Sequence, residues 1–121
     1  MAGELSLAAG EERILALITC PNTETSDALA SAFLEQELAA CVNIVPGISS
    51  VYRWEGQICR DSEHLLIVKT LVTHRQELLT LLKSIHPYEE PELLFLPVHS
   101  GSESYLTWFT KQISPRKLLE S

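Results

Sequence analysis

The sequence predicts an α+β domain with the split βαβ arrangement of a ferredoxin-like sandwich, extended by one C-terminal helix. Three observations predict it. Short apolar runs of strand length alternate with segments of helical periodicity in the order strand, helix, strand, strand, helix, strand, helix. Glu55-Gly56 makes a turn between two extended runs, which reads as one long hairpin. A chain of 121 residues, 45% hydrophobic and 21% charged, has the size and composition of a single soluble core.

Each element has its own signal. RILALIT, from Arg13 to Thr19, is a strand-length apolar run, and Cys20-Pro21-Asn22-Thr23 ends it with a proline and two helix-capping candidates. The helix that follows is expected from about Thr23 to Leu38, with Leu29, Ala32 and Phe33 on the stripe that faces a sheet. CVNIV, 41 to 45, reads as a strand that bends or bulges at Pro46-Gly47 before SSVYRW resumes, with Tyr52 and Trp54 on one side. QICR and then HLLIVKT form the return arm. Thr73-His74-Arg75-Gln76 fits a capping box, in which the Thr73 hydroxyl and the Gln76 side chain satisfy orphan amides at a helix start. Leu78, Leu81, Leu82 and Ile85 then recur at helical spacing. Pro87 pushes His86 out of helical geometry, ELLFLPV is the fourth strand with Pro97 at its end or on an edge, and a last helix spans about Ser102 to Ile113. The domain is expected over 13–113, between flexible tails at 1–12 and 114–121.

Composition excludes several classes of function. No apolar run approaches the roughly 20 residues of a membrane helix, and MAGELSLAAGEE lacks the basic start and apolar centre of a secretory signal, so a cytoplasmic protein is expected. Cys20, Cys41 and Cys59 are odd in number and widely spaced, as reduced thiols are. Nine basic residues against sixteen acidic ones, a net charge of -7, do not supply the field that nucleic acid requires. An RNA-binding sheet would also need aromatic residues on its central strands, and RILALIT and HLLIVKT have none. GxSxG, P-loop, HExxH and dinucleotide fingerprints are absent, as is the glycine loop of an acylphosphatase on the same topology.

The chemistry concentrates in SIHPYEEPELL, 84 to 94. His86, Glu89, Glu90 and Glu92 include ligands for a divalent cation, while the same prolines and charges serve to stop a helix and solvate a turn. In this topology the end of the first strand lies near the start of the fourth, which brings Cys20 towards His86; thiolate with imidazole suits copper or zinc. Lys69 shares a strand face with Leu65, Ile67 and Glu63. It is either an edge-strand charge that blocks aggregation or a cleft cation with a carboxylate partner, Glu63 or Glu90. Tyr52 and Trp54 suit a stacked ligand or a subunit contact. His64, His74 and His99 have no metal-ligand spacing.

Three of these segments together resemble one family. LAACVNIVPGISSVYRWEG (38 to 56), LLIVKT (65 to 70) and HPYEEPELL (86 to 94) are similar, in register from Ile14 to Phe109, to the signature motifs of the CutA divalent-cation tolerance proteins. The resemblance implies a homotrimer assembled through strand edges, a link to copper and other divalent metals, and no established reaction. It also implies a copper site made, in a bacterial relative, by a first-strand cysteine and two consecutive histidines ending in that of HPY. Here His86 matches, Ile18 and Ile85 occupy the other two positions, and Cys20, two residues on, is the substitute ligand. The expectation is therefore a trimeric metal- or effector-binding module with weakly bound copper or another divalent cation at His86 and Cys20. Its intersubunit cleft would be lined by Trp54, Glu63, Lys69, Tyr88 and Glu90, with a small-molecule effector and neither nucleic acid nor membrane as partner. The alternative is a small enzyme acting on an anionic substrate in that cleft, with His86 as acid or base and Lys69 fixing the anion.

Overall fold

The structure, a computed structural model, describes residues 12–113. The elements are β1 (Arg13–Cys20), α1 (Thr23–Glu35), β2 (Cys41–Trp54), β3 (Gln57–Leu71), α2 (Arg75–Ile85), β4 (Leu94–Pro97) and α3 (Glu103–Gln112). All strand pairs are antiparallel in the order β2-β3-β1-β4, so the predicted split βαβ sandwich with its added helix is what forms. The expected tails lie outside the described residues, except Glu12, whose carbonyl accepts a hydrogen bond from Val72 N–H at 2.8 Å.

Strand alternation sorts the sheet into two faces. Ala16, Ile18 and Cys20 of β1, with Leu66 and Val68 of β3, pack against Leu29 and Phe33 of α1 and Leu78 and Leu82 of α2 to make the main core. Leu71, Phe109 and Ile113 form a smaller cluster that anchors α3. Residues of the opposite parity, Leu15, Leu17, Leu65 and Ile67, point to the face away from α1 and α2, which α3 covers only at its Arg13 and Leu71 end. On the same face, Val45, Leu94 and Leu96 are exposed.

The hairpin follows its sequence signals. Glu55 and Gly56 both have positive φ, 50° and 79°, the combination of a type I′ turn whose twist suits the strands it joins. Pro46-Gly47 is a bulge: the pairing steps from Val45 opposite Leu65 to Ile48 opposite Glu63, with Gly47 at φ 70°. β4 lies on the sheet edge and ends at Pro97, as expected.

Two local expectations are corrected. α1 stops at Glu35, short of Leu38, because Glu37 adopts a left-handed φ of 57°. Leu38 N–H then bonds Phe33 O at 2.8 Å and Glu37 N–H bonds Leu34 O at 3.0 Å, the paired bonds of a Schellman ending, with Leu38 and Phe33 both in the core. The capping box does not form. A 3-10 turn over Val72–His74 precedes α2 and satisfies Arg75 N–H through Val72 O, while the Gln76 side chain donates forward to Thr80 Oγ1. Thr73 lies inside that turn and so does not stand at the cap.

Candidate functional site

The site begins where α2 stops. Pro87 excludes the helical conformation for its predecessor, and His86 takes φ -71° and ψ 136° while its N–H still closes the helix on Leu82 O. The imidazole, 6% exposed, thereby reaches β1: Nε2 lies 2.8 Å from Thr19 O, and Nδ1 accepts the Tyr88 N–H at 3.1 Å. Because Tyr88 N–H can only donate, Nδ1 is the acceptor and Nε2 carries the hydrogen given to Thr19. Both ring nitrogens are engaged within the chain, and the His86 ring also packs on Tyr88 at a centroid distance of 4.7 Å.

Tyr88 passes this order on to the hairpin. Its hydroxyl donates to Glu63 Oε2 at 3.1 Å, and burial, aided by the bond to Glu63, pushes the phenol up to about 12. Across the groove the Tyr52 hydroxyl donates to Asp61, and that hydrogen bond raises its phenol to about 12 as well. Both phenols stay protonated near neutrality and serve as donors to carboxylates.

Between them lies an open groove of about 560 Å³ lined by Thr19, Ser50, Val51, Tyr52, Trp54, Glu63, Tyr88, Glu89, Glu90 and Glu92. Four of the lining residues are glutamates and none is a lysine, arginine or histidine. Their exposure is graded: Glu63 is buried at 6%, whereas Glu89, Glu90 and Glu92 lie at the rim. Tyr52 and Trp54, with Ser50, share one side of β2 by strand alternation.

Of the residues singled out in the sequence, the structure brings Trp54, Glu63, Tyr88 and Glu90 together in this groove. Lys69 is elsewhere. It stands six positions from Glu63 along β3, about 20 Å at the rise of a strand. Its Nζ donates to Asn43 Oδ1 and lies 3.7 Å from Cys41 Sγ. Within this chain the expected carboxylate partner is not what holds Lys69. Cys20 is wholly buried in the main core, where desolvation raises its thiol pKa, a Ser26 hydrogen bond partly offsets this, and the Glu63 charge adds to it. Cys20 and His86 meet the same end of β1, yet among the described residues no group of three or more His, Cys, Asp or Glu is gathered to hold a metal ion. Thr19, Ser50 and the Tyr52–Asp61 pair were not singled out in the sequence; the alternation of Ser50, Tyr52 and Trp54 was the available signal for the first side of the groove.

The antiparallel sheet with its packed helices and the groove lined by carboxylates and phenols define a ferredoxin-like sandwich that carries an open acidic groove. Residues 14–112 match the family described as CutA1 divalent ion tolerance protein, and the chain belongs to that family. It is 47% identical over 92 residues, 76% of this chain and 89% of the other, to the divalent-cation tolerance protein CutA of Thermus thermophilus. Among solved structures, CutA1 of Oryza sativa superposes with a TM-score of 0.83 at 40% identity, covering 88% of this chain and 98% of that one. The periplasmic divalent cation tolerance protein CutA of Archaeoglobus fulgidus gives 0.81 at 34% identity, covering 84% and 99%. None of these names states a reaction. Among the described residues no helix is long and apolar enough to cross a membrane.

Proposed function

We propose that this chain is a divalent-cation tolerance protein that works by binding rather than by catalysis, as a homotrimer whose grooves take up cations. The observation that carries the reading is the groove lining itself, four glutamates with no cationic side chain among them. An anionic substrate, as the enzyme alternative requires, would meet four carboxylates of this chain there and none of its cationic side chains. The glutamates do not converge into a chelating cluster. We therefore assign them a hydrated divalent cation held loosely through its water shell.

Copper at His86 and Cys20 is the finer reading that the resemblance suggested. The geometry favours a different role for His86, because a metal there must displace the Tyr88 N–H or the hydrogen given to Thr19. We assign His86 as a positioning residue that holds Tyr88 against Glu63. The trimer is supported by the uncovered apolar face, Leu15, Leu17, Leu65 and Ile67 flanked by exposed Val45, Leu94 and Leu96, and by the free edges of β2 and β4. In that assembly Lys69 of one copy is available to the cleft of another. Free thiols at Cys20, Cys41 and Cys59 fit a reducing, cytoplasmic setting.

Sedimentation equilibrium tests the assembly: a mass three times 13.5 kDa is expected, and a monomer at micromolar concentration would contradict it. Copper titration of wild type and His86→Ala tests the assignment of His86. Affinity within about twofold is expected, and a loss of about tenfold or more would return His86 to the metal site.

A further inference from the structure

We draw no further inference here: the strongest candidate, the Cys41–Lys69 side-chain pair that faces across β2 and β3 with Nζ 3.7 Å from Sγ, stands on the sheet face that a second copy covers in the proposed trimer, and nothing in the structure shows what the pair meets there.

Discussion

Replacing Glu63 by glutamine is expected to stabilise the unliganded protein while removing its affinity for cations. The isosteric amide keeps an oxygen that can accept the Tyr88 hydroxyl, so the contact seen at 3.1 Å survives as a neutral hydrogen bond. Losing the charge-assisted character costs about 1 kcal/mol, the difference between ordinary and charged hydrogen bonds. Against this, a side chain only 6% exposed no longer carries an unpaired charge, and burial of such a charge costs several kcal/mol even after relaxation. The balance is a gain of about 1–2 kcal/mol, read as a rise of roughly 4–12 °C in Tm for a domain of this size. The assay is denaturant and thermal unfolding of both proteins at one fixed protein concentration, because trimer dissociation would otherwise enter the comparison. The Tyr88 phenol supplies an independent readout, since the hydrogen bond and charge of Glu63 both contribute to its rise. In Glu63→Gln its alkaline titration should move down from about 12. A variant destabilised by more than about 1 kcal/mol would refute the reasoning, because it would show Glu63 to be a structural element whose charge the fold already compensates.

Other consequences are open to direct measurement. Glu37→Gly should raise stability by about 1 kcal/mol in urea unfolding, because φ 57° at the end of α1 strains any residue but glycine. His86→Ala severs the link from β1 to Tyr88 and should cost about 2–4 kcal/mol by leaving buried groups without partners, visible as faster amide exchange at Tyr88. Leu94→Asp, at an exposed position on the uncovered face, should leave the fold intact and dissociate the trimer in sedimentation. At alkaline pH the raised phenols set the sign: Tyr52 and Tyr88 hold their protons more tightly folded than unfolded. Their stabilisation is therefore complete below pH 10 and is lost as the pH rises towards 12, which a series of melting curves would trace.

The elements that the sequence discloses well are those whose signals are local. The bulge at Pro46-Gly47, the turn at Glu55-Gly56 and the stop at Pro87 each depend on backbone preferences of one or two residues, and each forms where expected. The end of α1 was hidden because its left-handed residue is Glu37, where glycine would have announced it. The Thr73–Gln76 pattern does not become a capping box because a 3-10 turn over Val72–His74 takes up Thr73 and starts the helix through the Arg75 N–H bond to Val72 O. Resemblance brought Trp54, Glu63, Tyr88 and Glu90 to attention, and three dimensions show why they belong together: the Thr19–His86–Tyr88–Glu63 chain of hydrogen bonds ties β1, the loop after α2 and the hairpin into one rim. Lys69 shares a strand face with Glu63, and six positions of strand already put them about 20 Å apart; what needs the sheet pairing is that Asn43 and Cys41 of β2 lie beside Lys69.

The measurement that bears most directly on the groove as a cation site is paramagnetic line broadening by substoichiometric manganese, observed by NMR on the uniformly labelled protein. The account predicts selective loss of the Trp54 indole N–H and of the amides from Tyr88 to Glu92, ahead of the rest of the chain. Broadening that instead spares the groove and centres on other acidic positions would contradict it.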